Sequence, residues 1–143
     1  LMGGSMTIGN ITPVAEFNMH SDAESASFVF RSELPIYMVP LDVTNLSNVT
    51  DEIFNRVVSI DSGLSKILQE YLKFLKDSIT RRVIRQTGQK DVVRYARMHD
   101  ACAVAFVMDE SIFEYKHMFV EVQTDNSLSY GQAIGDINNC LIK

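Results

Sequence analysis

The chain has 143 residues, 46% hydrophobic and 22% charged, the composition of an ordinary globular domain with enough length for a real core. A formal net charge of −5 and a pI near 5.1 argue against nucleic acid or an anionic membrane as the main partner, because both select clustered Lys and Arg. No apolar run reaches the length that crosses a bilayer.

The opening LMGGSM reads as the end of a strand entering a loop, so the chain is expected to be a fragment, with Met2 and Met6 as alternative starts. Residues 1–18 are rich in Gly, Thr and Asn and read as one long loop, the kind that carries function in compact domains. Asp22 is the expected N-cap of a short helix, DAESASFVF. LPIYMVPLDV follows as a buried strand, apolar on both faces as in a parallel sheet and kept short by Pro35 and Pro40. Thr50 caps a helix TDEIFNRVVSI, with Asp51 and Glu52 where the helix dipole favours anions. A longer helix opens at Ser62, with Leu64, Ile67, Leu68, Tyr71, Leu72 and Leu75 as one apolar stripe and Gly88 as its end or a flexible turn. Arg81, Arg82, Arg85 and Lys90 have no interleaved aromatics and read as a solvated helix end.

DACAVAFVM reads as a buried helix starting at Asp100, MFVEVQT as a strand, and SLSYGQAIGDI as a turn followed by a strand or irregular edge. Cys102 and Cys140 lie far apart without metal-site spacing, so neither a disulfide framework nor a zinc site is expected; Cys102, in the apolar run ACAVAFVM, reads as an inert core thiol, and the compartment as reducing and cytoplasmic. Alternating strands and helices with no repeat or linker give an α/β layered fold with a largely parallel sheet, whose ligands bind beyond the carboxyl ends of the strands.

Two groups of residues carry chemistry. GNITPVAEFN puts Asn10, Glu16 and Asn18 in one short loop, and two carboxamides with a carboxylate supply the mixed donors and acceptors that sugar hydroxyls need. The same residues serve equally as turn formers satisfying their own backbone, which composition alone favours. The second group is His99–Asp100. Histidine is the usual general acid for a poor leaving group, and a carboxylate beside it suits a hard cation or a hydroxyl. Taken alone, Asp100 as a helix cap and His99 as a turn residue is the more economical reading. His20, near a helix start, and His117, at the head of a strand, receive no role.

The segments MGGSMTIGNITPVAEFNMHSDAESASFVF, PIYMVPLDVT, VTDEI, HDACAVAFVMDESIF and FVEVQT…GQAIGD, in that order, resemble the inosine–uridine type nucleoside hydrolases over nearly the whole chain. The resemblance implies an open, mainly parallel α/β sheet, present here as an incomplete part, with residues 1–143 forming the C-terminal part of a nucleoside hydrolase domain. It implies cleavage of the N-glycosidic bond of ribonucleosides to ribose and free base, a small-molecule ribonucleoside as partner, and a homo-oligomer when complete. By the same resemblance, Asn10, Glu16 and Asn18 hold the ribose hydroxyls and Met2 lines the pocket near the sugar. His99 protonates the leaving base, and Asp100 touches both a calcium ion and the sugar, the calcium positioning the attacking water.

The chain departs from the family at one decisive place. The Asp-x-Asp-x-Gly-x-Asp-Asp loop that supplies most calcium ligands has no counterpart here, and Asp100 alone does not provide the roughly six to eight oxygens calcium takes. The fragment is therefore expected to be inactive alone, the alternative being a non-catalytic remnant or ribose-binding module without a calcium site. Ala101 replaces a common proline, and DVVRYARM before His99 differs from the usual approach to the base pocket, where Tyr95 is a candidate for stacking on a base or for ordinary packing.

Overall fold

In the computed structural model residues 1–89, 95–138 and 140 are described. The elements run α1 (Phe17–Ser21), α2 (Ala23–Phe30), α3 (Leu41–Thr44), β1 (Asn48–Val49), α4 (Asp51–Ser59), α5 (Gly63–Thr87), β2 (Ala96–Arg97), α6 (His99–Met108), a 3-10 turn Glu110–Ile112, β3 (Val120–Val122) and β4 (Ala133–Gly135). No helix among the described residues is long and apolar enough to cross a membrane. The chain divides into two compact units, Leu1–Leu46 with His99–Lys143, and Ser47–Met98.

In the first unit the opening residues lie alongside the PIYMVP segment. Met2 and Val39 form a parallel bridge, which Val39 N–H to the Leu1 carbonyl (2.9 Å), Gly3 N–H to the Val39 carbonyl (3.3 Å) and Leu41 N–H to the Gly4 carbonyl (2.8 Å) extend on both sides. The expected strand is thus reduced to a short paired stretch. Pro40 then ends it and serves as the N-cap of α3, since proline lacks the N–H a ladder needs but has the φ a helix start accepts. The regular pairs, β3 with β4 here and β1 with β2 in the other unit, are antiparallel.

Helix α2 packs on β3 through Ala23 and Val122, joined by Met19 of α1, with Ala26, Phe30, Met38 and Tyr130 against them. Glu121 of β3 accepts from Ser27 Oγ (3.0 Å) and Arg31 Nε (3.0 Å), tying the helix to the strand. Burial pushes the Glu121 carboxyl up, but the Arg31 and Ser27 donors outweigh it and leave it below the usual carboxylate range. Gly131 adopts φ 76° where its own Cα lies so near α1 that a Cβ would sit 2.6 Å from the His20 Cα. Only glycine satisfies both constraints.

Helix α6 contains no buried residue, and Val107 is 84% exposed. The expectation of a buried helix is overturned. A helix apolar all round needs cover on several sides. Here α3, the 3-10 turn and the ring of Tyr37 (4.9 Å from that of Phe106) meet only part of its circumference. Cys102 is accordingly half-buried, not sealed in a core.

The second unit is held by α4 against α5. Thr50 Oγ1 accepts from Ile53 N–H (3.3 Å) to cap α4, and Ser62 and Ser65 form a reciprocal capping box on α5. Gly88, at φ 70°, closes α5 in the left-handed conformation and hands its N–H to the Ile84 carbonyl (2.8 Å). The α5 stripe is narrower than its sequence period suggests. Leu72 is buried and Leu68 and Leu75 are half-buried, while Leu64, Ile67 and Tyr71 are exposed. Arg81, Arg82 and Arg85 are exposed on the last turns of α5; Lys90 lies outside the described residues.

Candidate functional site

Loop 5–16 is built by its own polar groups. The Thr12 hydroxyl accepts from Ala15 N–H (2.9 Å) and Val14 N–H (3.3 Å), and the Ala15 carbonyl takes the N–H groups of Asn10 (3.1 Å), Ile11 (3.3 Å) and Thr12 (3.4 Å). Glu16 then closes the loop. Its carboxylate is buried, and one oxygen, Oε2, accepts from Gly4 N–H (3.0 Å), Asn18 N–H (2.9 Å) and Met19 N–H (3.3 Å). Glu16 is therefore the N-cap of α1 and at the same time the clasp between that helix and the first parallel segment. Helix α1 was not expected from the sequence, because glutamate is not among the usual cap residues.

The other residues predicted for the sugar gather around this clasp. Asn10 Oδ1 accepts from Phe17 N–H (2.8 Å), and Asn18 Nδ2 lies 3.4 Å from both the Met2 carbonyl and the Met2 sulfur. Met2, Asn10, Glu16 and Asn18 thus meet at the junction of the opening segment, the loop and α1. Each of the three polar side chains spends one end on this scaffold. Glu16 Oε1, Asn10 Nδ2 and Asn18 Oδ1 take no part in these bonds, so the backbone fixes the groups while a second polar atom of each remains for other work.

Two further residues, assigned no role from sequence, hold the same region from α3. Asp42 accepts from Met6 N–H (2.7 Å), Ser5 Oγ (3.2 Å) and Thr7 Oγ1. Burial raises the Asp42 carboxyl, but these donors together outweigh it and hold it below the usual range. Thr44, at the end of α3, is fully buried and places its hydroxyl 2.8 Å from Nδ1 of the half-buried His99. Both lie in PLDVT, and a polar pair in a turn right after the segment paired with Met2 is the signal that marks them, although that segment, expected as a buried strand, buries only Val39 and leaves Leu34 and Tyr37 exposed. Asp100, one residue past His99 in the first turn of α6, is exposed. Among the described residues no three His, Cys, Asp or Glu come together as a metal site. Calcium takes roughly six to eight oxygens, so the described residues do not build a calcium site by themselves. Tyr95 is half-buried in the second unit, and 91–94 of the tract expected to shape a base pocket lie outside the described residues.

The profile of the inosine-uridine preferring nucleoside hydrolases matches residues 1–140. The chain belongs to that family. A pyrimidine-specific ribonucleoside hydrolase of Shewanella sp. (strain MR-7) is 34% identical over 136 residues, covering 95% of this chain and 41% of the relative. A probable ribonucleoside hydrolase of Dictyostelium discoideum is 33% identical over 143 residues, covering 96% and 40%. This nucleoside hydrolase chain therefore spans about two fifths of the length of the curated relatives it matches. Solved structures agree on the fold. A plant nucleoside hydrolase superposes with a TM-score of 0.81 at 24% identity, over 97% of this chain and 41% of that one. A purine-preferring ribonucleoside hydrolase from Gardnerella vaginalis gives 0.77 at 24% identity, over 99% and 42%. The expected α/β architecture of the nucleoside hydrolase type, as an incomplete part, is thereby borne out.

Proposed function

We propose that this chain is the C-terminal part of a domain that hydrolyses the N-glycosidic bond of ribonucleosides, giving ribose and free base, in the cytoplasm and as part of a homo-oligomer. What supports the reading is the family match together with the clasp at Glu16, around which Asn10 and Asn18 gather against Met2, itself paired with Val39. Breaking this bond builds positive charge on the sugar, in an oxocarbenium-like transition state. Glu16, Asn10 and Asn18 hold the ribose hydroxyls; Glu16 Oε1 and Asn18 Oδ1, each fixed in advance by bonds at the other end of its side chain, stabilise that charge without reorganising, while Asn10 Nδ2 donates to a hydroxyl. Met2 packs beside the sugar, and Asp100 accepts from a ribose hydroxyl. His99 delivers a proton to a ring nitrogen of the departing base. Calcium ligands, Asp100 excepted, come from carboxylates outside these residues. Two free cysteines suit a reducing compartment.

A second reading is a ribose-binding remnant without catalysis, favoured by the lack of a three-carboxylate cluster among the described residues. One assay separates the two. Ribose release from inosine and uridine is measured for the 143-residue chain and for a polypeptide as long as the relatives, with and without chelator. Hydrolysis by the long form, lost with chelator, supports the enzyme; ribose binding with no release by either form supports the remnant. In the active form, His99→Ala is expected to lower turnover by about 10²–10⁴-fold for natural nucleosides and far less for a p-nitrophenyl riboside, whose leaving group needs no proton. Equal losses on both would remove His99 from the acid role.

A further inference from the structure

We propose that Thr44 is a positioning residue for His99, holding the Nδ1 side of the imidazole and so fixing Nε2 as the nitrogen that faces the chemistry. The inference rests on the reading of His99 given above, but its geometric half stands by itself. The Thr44 side chain is 0% exposed, and its hydroxyl is 2.8 Å from Nδ1, across 55 positions of sequence. A hydroxyl in that place accepts from Nδ1–H or donates to bare Nδ1, so it serves the ring in either protonation state without moving. Donation of the hydroxyl to the Leu41 carbonyl one turn back is long at 3.5 Å, and that carbonyl already receives Asn45 N–H at 2.9 Å. The bond to His99 is the better made of the two.

Thr44 is also placed by the clasp itself. Gly4 donates its N–H to Glu16, and the Gly4 carbonyl accepts from Leu41 N–H (2.8 Å), the first residue of α3. Asp42 grips Met6 N–H one residue later (2.7 Å), and Thr44 ends the same single turn against the ring. Hydrogen bonds and one helical turn therefore run without a break from Glu16 to the imidazole. A residue that orients a catalytic histidine from its far nitrogen works in this way wherever the second nitrogen must meet substrate.

The test uses ring-¹⁵N-labelled histidine, of which the chain has three. At one fixed pH, Thr44→Val is expected to shift the His99 ring-nitrogen signals and broaden them as the ring loses its anchor. His20 and His117 keep theirs and report that the fold survives; if Thr44→Val does not fold, Thr44→Ala supplies the same comparison. Thr44→Ser, which keeps the hydroxyl, is expected to restore the wild-type His99 signals. In the active long form, Thr44→Val lowers kcat about 10-fold on natural nucleosides with little change in KM, and Thr44→Ser recovers it. His99 signals unmoved in a folded Thr44→Val chain, or a Ser variant as defective as the Val one, would overturn the proposal. If the signals move and His99→Ala leaves turnover intact, the positioning contact stands and the acid reading fails.

Discussion

Loop 5–16 and helix α6 belong to the same unit and are made in opposite ways. The loop carries Met6, Ile8, Ile11 and Val14 among its polar residues and has almost no regular structure, and yet nearly every turn in it is held by a named bond, from Thr12 at its tip to Glu16 and Asp42 at its base. Helix α6 is regular and apolar, and no residue of it is buried. The difference teaches that order and cover are separate matters. A loop with Asn, Thr and Glu at its turns specifies its own shape through short-range hydrogen bonds. An apolar helix specifies only its backbone, and its side chains are settled by whatever lies against them.

The contrast breaks most sharply at Glu16. Glu16→Ala removes one acceptor oxygen and leaves three backbone N–H groups, those of Gly4, Asn18 and Met19, with nothing in its place. A loss of about 3 kcal/mol is expected, at the upper end for a single side chain, because orphaned buried donors cost more than a hydrogen bond contributes when made. Glu16→Gln keeps a carbonyl oxygen and should lose about 1 kcal/mol. Denaturant titration of the chain reads both. Equal stability of wild type and Glu16→Ala would mean that the loop is shaped by something other than the clasp.

Asp42 sharpens the same comparison at lower cost. Its folded-state carboxyl lies below the ordinary value, so the stability it contributes is complete above the unfolded pKa of about 4 and disappears as the pH falls through the lower, folded one. Acid should therefore loosen the Ser5–Thr7 end of the loop before it touches α6, because the Asp42 bonds run to Ser5, Met6 and Thr7. Amide exchange between pH 5 and pH 3 tests this order. Asp42→Asn is expected to lose about 1–2 kcal/mol at neutral pH and to flatten the acid limb. An Asn variant with an unchanged acid limb would assign the pH response elsewhere.

What could be read from sequence divides along the same line. The caps Asp22, Thr50 and Ser62 were legible because a cap and its donor stand three residues apart, and Gly88 because a left-handed helix end selects glycine. The gathering of Asn10, Glu16 and Asn18 was legible as a short polar loop, although not that Glu16 caps a helix. Contacts across long stretches were invisible. Thr44 meets His99 from 55 positions away, and Arg31 meets Glu121 from 90. Periodicity located the apolar positions of α5, and a continuous apolar run those of α6, but neither gives the cover. Leu64 and Ile67 of α5 and Val107 of α6 accordingly read as core and are exposed.

The smallest effect on stability is expected on α6, and it is the most direct probe of cover. Val107 is 84% exposed and Met108 81%, so Val107→Glu should change unfolding free energy by less than about 0.5 kcal/mol. Its consequence lies in association. Exposed apolar side chains on a helix, next to the uncovered Val104, favour contact between chains. Sedimentation velocity of the wild-type chain is expected to show self-association that grows with concentration, and Val107→Glu to reduce it while the circular dichroism of the helices stays the same. The loop offers the control, because a charge added at exposed Ile8 should leave association nearly unchanged if α6 is the source. A wild-type chain that sediments as a single monomer at every concentration would show that these side chains need no cover, and the distinction between a self-specified loop and a helix dependent on its surroundings would fall.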